Sequence, residues 1–230
     1  PEVARTPRIP GGEVLTVPFA VPDSVDVSDL DPADLGADGR TLITAYETVG
    51  RGAPIVMVHG IGGGSNRFQY RDNAPALANA GYRVFTPDLI GFGASSRPVG
   101  RSTQDLLVAQ LASFLDDVVG EPAVLVANGL AGAYAIRLAV ERPDLVHALT
   151  LIAPTGLERL RRPQDDARTS FFSLLEGPLG NLLYWALVDE DTQRFFLLDA
   201  YASDASLTPE IVEAFDEELR VQNAQWIVFS

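Results

Sequence analysis

Apolar and polar residues follow two different periods along this chain. Four short and continuous apolar runs, typical of strands, lie at residues 55–58, 82–86, 123–126 and 147–153, and those at 55–58 and 123–126 are expected to be buried. Each of the first three runs is followed by a segment with apolar residues at helical spacing, at residues 69–80, 103–119 and 130–141. Strands that alternate with helices predict an α/β fold, with a mostly parallel sheet and helices on both of its faces.

The N-terminal residues 1–40 do not follow this alternation. They contain one candidate strand at residues 14–19, and then a stretch rich in Pro, Asp and Gly at residues 22–39. The second stretch carries turn signals and is interpreted as an acidic surface loop. Residues 41–49 alternate apolar and polar side chains, which predicts a further strand.

The pattern changes again after the last apolar run. Residues 157–225 are rich in Leu and Phe at helical spacing, and they predict a helical lid. Residues 226–230 are interpreted as a truncated return to the core, without a closing strand and helix. We therefore expect an α/β core at residues 41–156, a lid after it, and a sheet whose C-terminal strands are absent.

Composition narrows the class of protein. The 230 residues are 47% hydrophobic, which favours one compact domain over a disordered chain. Because 31 acidic residues face 17 basic ones, for a net charge of −14, nucleic acids and anionic membranes are not expected as partners. No run of about 18 apolar residues and no charged leader is found, so we expect neither a membrane span nor export, and a cytoplasmic location.

Two residue types are absent, and each absence removes a class of chemistry. The chain has no cysteine, so it forms no disulfide, thiolate nucleophile or cysteine metal site. All 17 basic residues are arginine, which removes Schiff-base lysines, phosphate-loop lysines and Ser-Lys pairs. No cofactor and no metal are expected.

A tight corner of small residues joins the strand at 123–126 to the helix at 130–141. The pattern Gly-x-Ser-x-Gly at such a corner is typical of a nucleophile elbow, in which a strained turn exposes the serine hydroxyl above the sheet. Here the corner contains Asn128, Gly129 and Leu130, so Gly129 occupies the position of the nucleophile. The shape of an elbow is predicted, but its hydroxyl is missing.

Three motifs together resemble the α/β-hydrolase superfamily. His59 to Ser65 resembles its H-G loop, Asp88 to Pro98 resembles its G-x-G-x-S loop, and the elbow follows at the expected distance. Within the superfamily the chain is most similar to pheophytinase-like esterases, epoxide hydrolases and haloalkane dehalogenases. The segment P-T-G-L at residues 154–157 is similar to that of bacterial pheophytinase-like proteins.

The resemblance implies roles for several residues. In this superfamily the tetrahedral oxyanion is held by two backbone N–H groups, which by position are those of Ile61 and Leu130. Both donors belong to the main chain, so a substitution at Gly129 does not remove them. His59, Gly60, Asn128 and Asp88 are implied as motif residues that support the site, with His59 shaping its loop and Asp88 in a structural role.

The same resemblance requires a catalytic acid and a histidine that follow later strands. Neither serine nor the aspartate of the dehalogenases stands at position 129, and glycine cannot attack a substrate. Only two histidines exist, His59 in the H-G motif and His147 at the start of a strand, and neither follows the lid. A catalytic triad cannot be assembled from these 230 residues.

Aromatic residues of the predicted lid are candidates for an apolar substrate cavity, although packing of the lid itself explains them equally well. They are Phe171, Phe172, Tyr184, Trp185, Phe195 and Phe196. A cavity of this kind favours a small hydrophobic ligand such as an ester.

Two functional hypotheses remain open. In the first, the chain is an incomplete and inert form of a hydrolase that acts on hydrophobic esters, with the acid and histidine located outside it. In the second, it is a natural pseudohydrolase that binds a ligand or partner in the former cleft, since glycine adopts the elbow conformation without strain. A sheet without its last strands exposes an apolar edge, so we also expect self-association.

Overall fold

A computed structural model describes residues 8–156, 184, 188, 197, 207–221 and 223–224. Six strands of this part form one sheet in the order β1-β2-β4-β3-β5-β6. They are β1 (Val14–Ala20), β2 (Thr41–Gly50), β3 (Pro54–Val58), β4 (Arg83–Pro87), β5 (Ala123–Asn128) and β6 (Val146–Ile152). The four strands from β3 to β6 run parallel to one another, with β3 paired to β4 and β5, and β5 paired to β6. β2 pairs antiparallel with both β1 and β4. The prediction of a mostly parallel sheet is therefore confirmed.

Four α-helices accompany these strands in the described residues. They are α1 (Asn73–Asn79), α2 (Gln104–Phe114), α3 (Ala131–Glu141) and α4 (Pro209–Arg220). Short 3₁₀ turns form at Pro32–Asp34 and Arg67–Tyr70, and α2 continues into one π-helical turn at Leu115–Val119.

The central strand β3 shows why the sheet is covered on both faces. All five of its residues are buried, and successive side chains point to opposite faces. Ile55 and Met57 pack with Ala74 of α1 on one face, whereas Val56 and Val58 join the apolar cluster of α2 and α3 on the other. The continuous apolar run in the sequence is therefore explained by burial from both sides.

The helix predicted over residues 69–80 is shorter in the structure, because the 3₁₀ turn extends to Tyr70 and α1 begins only at Asn73. Pro75 has no N–H group to donate to the carbonyl of Arg71, so a continuous helix across both residues is disfavoured. Placing Pro75 in the first turn of α1 removes this conflict. The predicted end of the helix at Gly81 is confirmed by its left-handed φ of 94°.

The acidic stretch at residues 22–39 differs from the predicted surface loop at its apolar residues. Val25 and Leu30 are buried in the same cluster as Leu42 of β2. The Arg40 side chain donates hydrogen bonds to backbone carbonyls of this loop, including that of Val25 at 2.7 Å. Single apolar residues among Asp and Pro produce no periodic signal, so the sequence did not reveal these anchors.

Most of the predicted lid lies outside the described residues, as do residues 226–230 and any closing strand. The division of the chain into four segments and the cytoplasmic location therefore stay predictions. Within the lid segment, Pro209 occupies the first turn of α4, where its missing N–H group is not needed. None of the helices in the described ranges is long and apolar enough to cross a membrane.

Candidate active site

The corner between β5 and α3 has the geometry of an elbow. Gly129 has a φ of 57°, in the left-handed region that favours glycine. Its N–H group donates to the carbonyl of Ile152 at 2.9 Å, and its own carbonyl accepts from Gly132 and Thr155, each at 3.1 Å. The corner is thus tied both to the end of β6 and to the segment that follows it.

The corner leaves room for a side chain at position 129. A Cβ atom placed on Gly129 would meet no heavy atom of the described residues within 4 Å, apart from its two chain neighbours. At Gly132, by contrast, a Cβ would lie 3.2 Å from the Cβ of Pro154, so the helix packs closely there. Crowding therefore does not explain why position 129 lacks a side chain.

The residues predicted to bind an oxyanion lie on the two segments that meet at this corner. Leu130 precedes α3, and no side chain caps the helix. Among the described residues, the backbone N–H groups of Leu130 and Ile61 donate to no acceptor. The H-G loop reaches the elbow at Gly60, where a Cβ would lie 3.8 Å from the Asn128 side-chain nitrogen. The structure therefore brings Gly60 and Asn128 together beside Gly129.

His59 is buried, and both of its ring nitrogens are engaged. The Nε2 atom accepts the N–H of Leu89 at 3.0 Å, so Nδ1 carries the proton and donates to the carbonyl of Gly60 at 2.7 Å. Burial lowers the pKa of His59, against the opposing effect of the Asp88 carboxylate. The neutral ring also packs edge-on against Phe92, with 4.9 Å between the ring centres. This imidazole holds two loops together and is not available as a base.

Asp88 belongs to a buried ionic network. Its carboxylate accepts the backbone N–H groups of Arg67 and Ala94, each at 2.9 Å, and pairs with the Arg67 guanidinium. The same guanidinium binds Glu47 at 3.0 Å. Burial alone would lower the pKa of Arg67, but the carboxylates of Asp88 and Glu47 outweigh it and raise that pKa.

The position of Asp88 also explains a glycine of the G-x-G-x-S loop. Gly93 has a φ of 50°, and a Cβ there would lie 2.0 Å from an oxygen of the Asp88 carboxylate. The carboxylate fills the space that a side chain would need. Asp88 is thus committed to holding loops, which fits a structural role.

Sequence reasoning did not single out Gln110 of α2. Its Oε1 atom accepts the N–H of Ile90 at 2.9 Å, and its Nε2 atom donates to the carbonyl of Asp88 and to the hydroxyl of Thr44, each at 3.0 Å. The only signal in the sequence is a polar residue within the apolar stripe of a helix, next to Leu111 and three residues after Leu107. Glu47, Arg67 and Glu218 are also buried. The sequence analysis missed them because a single polar residue carries no pattern that indicates burial.

Tyr184 is the one predicted cavity residue that the structure describes. It is buried against Val188 and Ala224, and its hydroxyl donates to the carbonyl of Leu219 at 2.6 Å. Burial raises the pKa of Tyr184 to about 12. The other candidates, Phe171, Phe172, Trp185, Phe195 and Phe196, lie outside the described residues.

Three further observations concern described residues outside the elbow. A cavity of about 60 Å³ lies between the H-G loop and α4, and Gly64, Ala214 and Phe215 are among its lining residues. No group of three or more His, Asp or Glu side chains in the described ranges is placed to hold a metal ion. His147 lies exposed on β6.

A family model described as the alpha/beta hydrolase fold matches residues 53–213, which is more than half of the chain. This chain belongs to the α/β-hydrolase family. The resemblance drawn from the three motifs and the expected fold are confirmed.

Known proteins of this family resemble the chain over part of their length. It is 36% identical over 126 residues to a 2-hydroxymuconate semialdehyde hydrolase of Pseudomonas sp. strain CF600, covering 52% of this chain and 44% of the relative. It is also 36% identical over 124 residues to epoxide hydrolase A of Mycobacterium tuberculosis, covering 53% of this chain and 38% of that relative. The match thus spans less than half the length of these relatives. Epoxide hydrolases are one of the three branches that the motifs suggested.

Solved structures show the same fold. The chain aligns with the 2-hydroxy-6-oxo-6-phenylhexa-2,4-dienoate hydrolase of Rhodococcus sp. strain RHA1 with a TM-score of 0.66 and 19% identity, covering 95% of this chain and 71% of that one. At this identity the likeness concerns the fold, and the activity has to be argued from the site.

Proposed function

We propose that this α/β-hydrolase is of the serine ester hydrolase type and binds a hydrophobic ester, but that the chain is an incomplete form that does not cleave it. The observation that carries the proposal is Gly129, which has the backbone conformation of an elbow and open space around it, yet no nucleophilic atom. Covalent catalysis requires a side chain at this position and a base beside it.

Neither histidine, both of which lie in the described part of the chain, is placed to activate a nucleophile at position 129. His59 uses both ring nitrogens, one for Leu89 and one for Gly60. His147 lies on β6, whose Ile152 end, five residues further along, is the end tied to Gly129. Since these are the only two histidines, a serine at position 129 would have no imidazole partner.

The part of the site that remains is suited to binding a carbonyl group. The N–H groups of Ile61 and Leu130 can donate to a carbonyl oxygen that lies above Gly129. Such donors polarise the carbonyl but form no bond to its carbon. The site therefore supports recognition of an ester more than its cleavage.

An inert site of this kind fits two different native proteins, an incomplete hydrolase and a pseudohydrolase. If it is an incomplete hydrolase, the acid and histidine belong to residues outside this chain. If it is a pseudohydrolase, no such residues exist, and the glycine itself supports this reading because it relieves the strain of a φ of 57°.

The intact mass of the native protein separates these readings. Two further strand-helix units amount to about 60 residues, or roughly 6 to 7 kDa. A native protein heavier than the 24.7 kDa of this chain by that amount supports the incomplete hydrolase. A native mass of 24.7 kDa supports the pseudohydrolase.

A matched pair of variants at Leu130 tests carbonyl binding. The φ of Leu130 is −67°, which proline adopts, so Leu130→Pro removes the N–H donor without conflict at its own φ. Leu130→Ala shortens the side chain but keeps the donor, and serves as the control. With phenyl butyrate as the probe, we expect Leu130→Pro to bind about two- to tenfold more weakly than Leu130→Ala. Equal affinities, or no binding by any form, would refute the proposal.

A further inference from the structure

Helix α4 turns an acidic side chain toward the core. Its buried residues Ile211, Ala214 and Glu218 recur at helical spacing and define one face, while Glu213 is exposed on the other. A buried glutamate on an apolar face requires partners, because an unpaired carboxylate is costly to remove from water.

Glu218 finds these partners on two loops of the core. Its Oε1 atom accepts the N–H of Gly93 at 2.8 Å and pairs with the guanidinium of Arg97. Its Oε2 atom lies 3.5 Å from the side-chain nitrogen of Asn66. Burial raises the pKa of Glu218, and the Arg97 guanidinium opposes this shift. One side chain of α4 thus contacts both the G-x-G-x-S loop and Asn66, the residue that follows the H-G loop.

Phe215, one turn before Glu218, contacts the H-G loop directly. Gly64 has a φ of 78°, and a Cβ there would lie 2.1 Å from the Cδ1 atom of Phe215. The aromatic ring therefore occupies the space that any side chain at position 64 would need. The lack of a side chain at Gly64 therefore allows Phe215 to pack against the loop.

These two contacts fall on the loop that carries the Ile61 N–H group and on the residue that follows it. The loop is held near its start by the Gly60 N–H, which donates to Gln69 at 3.2 Å. Directly after it, the Asn66 side chain accepts the N–H of Phe68 at 2.8 Å. Both of these bonds are local to the loop and the turn that follows it, whereas Phe215 and Glu218 hold it from a distant part of the chain.

We propose that Phe215 and Glu218 are positioning residues, which hold the H-G loop so that the orientation of the Ile61 N–H group depends on the seating of α4. The inference rests on the proposed function, because that function makes Ile61 a donor to the bound carbonyl. Neither side chain needs to touch the ligand. The lid segment would then act on the site through the loop, by way of α4.

Amide hydrogen exchange of the ligand-free chain tests this proposal. In Phe215→Ala and Glu218→Ala, exchange in this loop, measured at Ser65, whose N–H donates to the carbonyl of Gly62 at 3.1 Å, should accelerate by about tenfold or more, while β3 and β5 keep their protection. Glu218→Gln keeps an oxygen acceptor for the Gly93 N–H and should restore part of the protection. Glu213→Ala, which removes an exposed carboxylate of the same helix, is the control and should leave exchange unchanged.

Unchanged exchange at Ser65 in folded Phe215→Ala and Glu218→Ala would overturn the proposal. If these variants also lose protection in β5, Phe215→Leu and Glu218→Gln replace them, because they keep most of the side-chain volume. Exchange is measured without ligand, so it is independent of ester binding. Faster exchange in a chain that binds no phenyl butyrate would refute the proposed function and leave the positioning role intact.

Discussion

The N–H group of Gly129 donates to the carbonyl of Ile152 at 2.9 Å, which ties the elbow to the last residue of β6. The hydrogen bond fixes the backbone of position 129 from outside the corner. The left-handed conformation at this position is therefore set by the sheet, and a residue other than glycine would have to adopt it.

Replacing Gly129 with alanine should measure the strain of this conformation alone. Because no atom crowds the position, we expect Gly129→Ala to lower the free energy of unfolding by about 1–2 kcal/mol. Gly120 is the control, since it has a φ of 73° and equally open space, and Gly120→Ala should cost a similar amount. Urea unfolding of both variants gives the comparison. A cost at Gly129 several times that at Gly120 would show that the corner tolerates no side chain.

The buried Arg67 should be far more important for stability than the half-buried Arg137, whose partners Asp105 and Glu141 are exposed. Arg67→Met leaves Glu47 and Asp88 without a cation in the interior, and we expect a loss of about 3–5 kcal/mol. Arg137→Met breaks exposed ion pairs with Asp105 and Glu141 and should cost no more than about 1 kcal/mol. Chemical unfolding of the two variants tests this difference, and equal costs would contradict the role given to the network.

The strands and helices of the core could be predicted from the sequence because their signals are local. The strand expected at residues 14–19 forms as Val14–Ala20, and Thr103 caps α2 by accepting the N–H of Leu106 at 3.2 Å. The polar contacts around the site could not be predicted in this way. Glu218 binds Gly93 across 125 positions of the chain, and no periodic pattern reports such a pairing.

The neutral state of His59 predicts a dependence of stability on pH. Burial holds the pKa of the folded imidazole below its ordinary value of 6.5. As the pH falls through 6.5, the unfolded chain binds a proton at this residue and the folded protein does not, so the free energy of unfolding decreases. The stability that the neutral imidazole contributes is fully present above pH 6.5 and is lost as the pH falls toward the lower pKa of the folded state.

Urea unfolding between about pH 5 and pH 8 measures this effect. His59→Gln should weaken the pH dependence in this window, whereas His147→Gln, at an exposed position of β6, should leave it in place. An unchanged pH dependence in His59→Gln would show that the imidazole is not held neutral in the folded protein.

The outer edge of β6 predicts self-association of the chain. Within the described residues β6 pairs with β5 only, and Ile152 at its end is 44% exposed. A charge at such an edge disfavours pairing with another strand, so Ile152→Lys should shift the chain toward monomer in size-exclusion chromatography. Ile43→Lys is the control, because Ile43 is 38% exposed but lies on β2, which has a strand on each side. A monomeric parent chain would contradict the expectation.

Hydrolysis of 4-nitrophenyl butyrate by the chain and by Gly129→Ser tests the central claim most directly. Loss of a serine nucleophile alone costs about 10⁶ in turnover, and the chain also offers the new hydroxyl no available imidazole. We therefore predict that Gly129→Ser hydrolyses the ester no faster than the parent chain, and that neither form exceeds the small residual rate that an oxyanion hole and binding alone support. Turnover by the parent chain far above this residual rate would show that a nucleophile other than residue 129 exists. A large rate increase on Gly129→Ser would show that these 230 residues contain a working base.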